Sequence, residues 1–187
     1  MYMKIGKSNS NQGYSLIELV VVIAIMGICV GVTLLSVGVV TRRKAVKCAE
    51  ELVTSLESVR VRTLGKEQNA VECIVSKDAE GNCVVSVLQN GTEVSNRRIG
   101  DKSVELKVYF DKEATGYDLN SIEGSGQAGS TGAGLHVVIN RSSGAFVEKT
   151  NVVSGAVKDY CTKIEIVSGS KTVEVSLVGK TGKIVTN

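Results

Sequence analysis

The 187-residue sequence contains no proline, has a single histidine, His136, and carries no Asp, Glu, Lys or Arg between residues 19 and 40. Without proline, no helix can hold a proline kink, and any sharp bend must have another cause. His136 sits in a β-branched run with no Cys or Asp cluster at metal-ligand spacing, so neither a zinc site nor a Ser-His or Cys-His nucleophile is supported. The ring is read as structural. The missing charge is the most informative absence: a helix of those 22 residues spans roughly 33 Å, enough to cross a bilayer.

Strong charge of one sign is also missing. The net charge is +3, but residues 1–13 supply +2 through Lys4 and Lys7, Glu18 supplies −1 and residues 41–66 supply +4, which leaves −2 from residue 67 onward. That balance excludes a basic module, and nucleic acid is not expected as a partner, since only a local patch could hold it. The run "TRRKAVK" just past the apolar stretch fits contact with anionic headgroups. Lys4 and Lys7 compete with Arg42, Arg43, Lys44 and Lys47, so the positive-inside rule alone leaves the orientation open.

Three readings fit the N-terminus. A cleavable secretory signal explains the basic leader and offers "SVG" at 36–38 as a cut, but the apolar run exceeds the usual length and is headed by Glu18. A plain signal anchor explains the length but not Gly13 or Glu18. The third reading rests on a basic, polar leader ending in Gly13 and followed by "YSLIELVVVIAIMGI". This stretch closely resembles the class III signal of type IV prepilins and type II secretion pseudopilins. The resemblance implies cleavage by a prepilin peptidase between Gly13 and Tyr14, N-methylation of Tyr14, and retention of Glu18, the fifth residue of the mature chain, for assembly. The family more often begins with phenylalanine; Tyr14 keeps the ring. A carboxylate in hydrocarbon needs a partner, and the amine created at Tyr14, most usefully that of a neighbouring subunit, would supply one.

Beyond the span, Ala45, Ala49, Leu52, Leu56, Val59 and Thr63 recur at three- and four-residue steps, the signature of an amphipathic helix laid on a core. Gly65 ends it. A helix over 14–64 would be roughly 75 Å long, in keeping with the pilin N-terminal helix, half membrane and half domain. Many major pilins carry a proline midway along it, which this chain lacks. Gly27 and Gly31 form a G-x-x-x-G pair that permits close helix packing.

The remainder reads as strands: "AVECIVS", "CVVSVL", "EVSNRRI", "SVELKVYF", "LHVVIN", "TKIEIV", "TVEVSLV" and "KIVT", separated by glycine-bearing turns. The expected fold is α+β, pilin-like, with one long N-terminal helix packed on an antiparallel β-sheet domain. Its expected divisions are a removed leader 1–13, a transmembrane and assembly half 14–40, an amphipathic half 41–64, and a β-rich head 65–187. The terminal hairpins are similar to the ends of H-type minor pseudopilins and FimT-like minor pilins.

The five cysteines are Cys29, Cys48, Cys73, Cys83 and Cys161, an odd number. Cys73 and Cys83 flank the turn "SKDAEGN" and could face each other as a disulfide across a hairpin, or remain two buried thiols. "GSGQAG" at 124–129 fits G-x-G-x-x-G but leads into a strand, so "EGSGQAGSTGAG" reads as a mobile surface loop. "GKT" at 179–181 reads as a hairpin turn, and the sequons "NGT" and "NRS" as turn residues.

These features point to a structural subunit and not an enzyme, with no cofactor. The implied partners are a prepilin peptidase, other pilin or pseudopilin subunits, and the cytoplasmic membrane with its assembly platform. The implied location is single-pass in a bacterial cytoplasmic membrane with the C-terminal domain outside, then a cell-surface or periplasmic filament. The alternatives are a minor pilin serving as a DNA-uptake receptor, for which Lys180 and Lys183 are the only pointer, and a membrane-anchored extracellular domain of another role.

Overall fold

The fold is described from a computed structural model, which covers residues 14–65, 71–126 and 132–186, with the side chains of 32–39 excluded. The chain divides into two compact units, Met1–Val37 and Gly38–Asn187. Helix α1 runs from Leu16 to Gly65. It ends where the sequence places its glycine stop and starts two residues later than 14.

Within the second unit, the inward stripe of α1 contains the six residues expected from the sequence together with Cys48 and Ser55. Ala45, Cys48, Ala49, Leu52, Leu56, Val59 and Thr63 are all buried. Helical spacing puts these positions on one face, and burying each large side chain contributes about 1.5–3 kcal/mol. Thr63 satisfies its hydroxyl inside the helix by donating to the Val59 carbonyl at 2.8 Å, so its polarity is accommodated at a buried position.

All eight strand runs form strands: β1 Val71–Lys77, β2 Cys83–Gln89, β3 Thr92–Gly100, β4 Glu105–Phe110, β7 Leu135–Val138, β10 Cys161–Ser168, β11 Lys171–Val178 and β12 Lys183–Thr186. Four short strands were not read: β5 Tyr117–Asp118, β6 Ile122–Gly124, β8 Asn151–Val153 and β9 Ala156–Lys158. At two or three residues each, they show no periodicity that a sequence window can resolve. The strands make three antiparallel sheets where the sequence suggests one: β3-β2-β1-β7, β12-β11-β10-β4-β5 and β6-β8-β9.

Alternation decides which face goes inward. Cys73 and Val75 of β1, Val85 and Val87 of β2, Leu106 and Val108 of β4, Ile164 and Ile166 of β10, and Val173 and Val175 of β11 share one core with the α1 stripe. The β2–β3 connection is a two-residue turn in which Asn90 (φ 53°) and Gly91 (φ 74°) both take the left-handed region. That geometry is what Asn-Gly supplies to a hairpin, so the sequon here is a turn. Asn140 does the same work at "NRS": its side-chain oxygen accepts from the Ser142 and Ser143 amides at 2.9 and 3.2 Å. "GKT" lies in the β11–β12 turn, closed by the Gly182 amide donating to the Val178 carbonyl at 2.8 Å.

Polar contacts hold the helix to the loops and edge around it. Lys44 pairs with Asp101 at 2.8 Å, Glu51 with Arg97 at 2.7 Å, and Arg60 donates to the Thr181 carbonyl at 3.2 Å. Hydrogen bonds from Lys44 and Ser103 hold the Asp101 carboxyl down to about 2. A carboxylate whose folded-state value is depressed stabilises the fold above its unfolded value near 3.9, and that contribution disappears as the pH falls toward about 2. Asp101→Asn should therefore lower the thermal midpoint at pH 7, with the gap to wild type closing as unfolding is followed down from pH 4. A gap independent of pH would remove the charge from this account.

Candidate functional site

Gly13, the expected cleavage position, lies outside the described residues. Tyr14 is 86% exposed and stands just ahead of the helix. The Ser15 carbonyl accepts the first helical bond, from the Leu19 amide at 3.2 Å, which makes Ser15 the cap and Glu18 the third helical residue. Ser-x-x-Glu is the spacing of a capping box, and a negative charge in the first turn is favoured by the helix dipole. The first-turn placement of Glu18 is readable from "SLIE" itself. Glu18 is exposed and forms no ion pair among the described residues.

The helix beyond it is apolar all round. Leu16, Ile17, Leu19, Ile23, Ile25, Met26, Ile28 and Val30 are each more than half exposed. Such a surface is stable only when other apolar matter covers it. Positions 27 and 31 open onto empty space, since a Cβ added at either glycine would meet nothing within 4 Å. Among the described residues, no helix is long and apolar enough to cross a membrane; the uncharged stretch of the sequence continues through 32–39, whose side chains are not described.

Of the two readings of Cys73 and Cys83, a disulfide or two buried thiols, the structure has the second: both thiols are free and buried. The register explains why. Cys73 lies opposite Val87, and Cys83 lies opposite Lys77. Four residue steps along an antiparallel pair amount to about 13 Å, twice the reach of a disulfide. Burial pushes the Cys73 thiol up to about 12.

His136 is the centre of a buried polar cluster. On β7, Leu135 and Val137 face the core, while His136 faces the other side beside Glu72 of β1. Its Nδ1 is 2.6 Å from Glu72 Oε1, and its Nε2 donates to the Gly132 carbonyl at 3.0 Å. A carbonyl can only accept, so Nε2 is the donor in that bond. The Asn151 side chain bonds both the His136 amide and carbonyl, at 2.8 and 2.9 Å, and Thr150 reaches the same carbonyl at 3.1 Å. Every member is satisfied, and the cluster joins the first sheet to β8. Residues 127–131 of the glycine-rich stretch lie outside the described residues. Its flanks are paired and not loose: the Gly124 amide donates to Gly132 and the Gly134 amide to Ile122, both at 2.8 Å. Gly134 has φ +118°, and a Cβ there would lie 2.5 Å from the Val75 carbonyl, so only glycine fits.

His136→Ala should strand the Glu72 carboxylate in the interior and destabilise the fold by about 3–5 kcal/mol. Urea unfolding should give a much smaller loss for the double variant Glu72→Leu, His136→Leu, which removes both polar partners.

Tyr14, the Ser15 cap, Glu18 and the exposed apolar residues after them fall inside a recognised signal. Residues 8–38 match the family described as the prokaryotic N-terminal methylation motif. No curated protein and no solved structure matches the chain, so the likeness of its end to minor pseudopilins and FimT-like pilins has no support beyond the hairpin pattern. The chain thus carries a prepilin-type cleavage and methylation signal over residues 8–38, that of a pilin-like substrate of prepilin peptidase.

Proposed function

We propose that this protein is a prepilin-like structural subunit that polymerises, through the first half of α1, into a type II secretion pseudopilus or a type IV pilus. Prepilin peptidase cuts between Gly13 and Tyr14 and methylates the new amine. Before assembly the chain crosses the bacterial cytoplasmic membrane once through residues 14–40, with the β-rich head outside. The assembly platform then draws it into a filament at the cell surface or in the periplasm. The observation that carries this reading is the motif match over 8–38, which coincides with a helix start whose only acidic residue is Glu18 and whose apolar side chains stand exposed among the described residues.

The chemistry of the site follows from the cost of charge in hydrocarbon. Cleavage creates an ammonium group at Tyr14, and a carboxylate at Glu18 neutralises such a group on the adjacent subunit. Desolvation makes a buried pair of this kind better at setting axial register than at adding stability. The filament acts by moving, and no catalytic role is assigned to any residue. A DNA-uptake role would rest on Lys180 and Lys183 alone, against a net charge of −2 from residue 67 onward.

Intact mass on protein from native membranes should show loss of thirteen residues and one added methyl group; a mature chain starting at Val39 would mean an ordinary signal peptide. Glu18→Gln should still insert and be cleaved. Its entry into sheared filaments, from cells that also make the parent chain, should fall at least about tenfold, the equivalent of 1.4 kcal/mol. Equal entry of variant and parent would exclude charge pairing as the reason for Glu18.

A further inference from the structure

Cys83 does have a thiol neighbour, on the helix and not on β1. Cys83 lies opposite Gly100 in the β2–β3 register, at a bulge. The point where a Cβ on Gly100 would sit is 3.2 Å from Cys48 Sγ, 3.4 Å from Val104 Cβ and 3.5 Å from Cys83 Cβ. The Cys48 sulfur and the Cys83 Cβ therefore both border the space that this glycine leaves open. Cys83 Sγ is 3.5 Å from the Val104 carbonyl, toward the same residue that borders Cys48. Both cysteines are fully buried, at 0% exposure. Glycine at 100 is what admits the helix sulfur: any larger side chain would fill the place where the two cysteines meet.

We propose that Cys48 and Cys83 are a disulfide-forming pair, a redox staple between the amphipathic half of α1 and the first sheet. The step needs a disulfide oxidant, either a thiol–disulfide oxidoreductase or a small disulfide such as oxidised glutathione. One cysteine thiolate attacks the oxidant's S–S bond, releases one thiolate and forms a mixed disulfide. The second cysteine then attacks the protein sulfur of that bond and releases the other thiolate. Two S–H bonds are lost, one protein S–S bond forms, and the oxidant takes up two electrons and two protons.

Timing follows from burial. In the folded chain, burial pushes the Cys48 thiol up to about 12 and the Cys83 thiol up to about 11. Scarce thiolate and a closed core make the folded pair slow to oxidise. The bridge accordingly forms while the helix docks, before the core closes. Once made, it closes the segment between 48 and 83 and ties the helix face to β2, so the helix cannot peel from the sheet under load along the filament. That consequence rests on the proposed function; the bridge itself rests only on the geometry around Gly100.

The test uses the full chain in detergent micelles. Reduced protein is unfolded in guanidinium, refolded in a mixture of oxidised and reduced glutathione, alkylated with iodoacetamide and digested with trypsin, which places Cys48, Cys73, Cys83 and Cys161 in separate peptides. The expected product joins 48–60 to 78–97, lighter by two hydrogen atoms than the sum of its parts, with Cys29, Cys73 and Cys161 alkylated. Cys73→Ser and Cys161→Ser should leave that product unchanged. Protein folded first and given the same oxidant afterwards should form it at least about tenfold more slowly. Absence of the linked pair after refolding, or a dominant bridge to Cys73 or Cys161, would overturn the proposal. Neither result bears on cleavage at Gly13, which the mass measurement decides separately.

Discussion

The buried stripe on the second half of α1 is the constraint on which the rest of the second unit depends. Leu52, Leu56 and Val59, with the small residues Ala45, Cys48 and Ala49 before them, are fully or almost fully buried against inward positions of two different sheets. A single antiparallel sheet with one covered face would need only one such partner layer. Here the helix gives the inner faces of β1 and β2 and those of β4, β10 and β11 a common surface to bury. The small residues at 45, 48 and 49 come first along the stripe, and at 48 the counterpart is a glycine, Gly100. Helix and strand each omit bulk at the same place.

The two halves of α1 obey opposite rules. In the second half, apolar and charged residues are segregated, and the charged ones meet partners at the rim: Lys44 with Asp101, and Glu51 with Arg97. In the first half there is no segregation, since apolar residues cover every face and stand exposed. A surface of that kind has no stable existence in water, and the proposed membrane and filament environments are the two that would cover it. Glu18 is the exception in that half, and it occupies the first helical turn, where the dipole already favours a negative charge. That placement is compatible with the proposed assembly role, since the start of the helix sets where the carboxylate would stand relative to a neighbour's amine.

The buried pair His136 and Glu72 inside the second unit is matched by hydrogen bonds. His136 and Glu72 lie on the back of the first sheet, outside the apolar core proper, and are enclosed by Gly132, Thr150 and Asn151. This arrangement explains how β7 can be buried on both faces while carrying the only histidine of the chain. One face meets the core, and the other meets a hydrogen-bonded network that leaves no ring nitrogen unpaired. An unpaired group there would carry its full desolvation cost.

Sequence alone determined the features that depend on neighbours along the chain. The position of the signal, the stop of α1 at Gly65, its buried stripe, the eight longer strands and the Asn90-Gly91 hairpin all follow from periodicities and dihedral preferences that act over a few residues. Tertiary structure alone decided what depends on register and on residues distant in sequence. A shift of four positions between β1 and β2 separates Cys73 from Cys83, while a glycine seventeen residues further on, at 100, brings Cys83 toward Cys48. The division of the strands into three sheets and the pairing of His136 with Glu72, 64 residues away, are of the same kind. Local preferences are strong enough to be read residue by residue, whereas a strand's register and a buried group's partner are selected by the free energy of the whole packed core, which no short window contains.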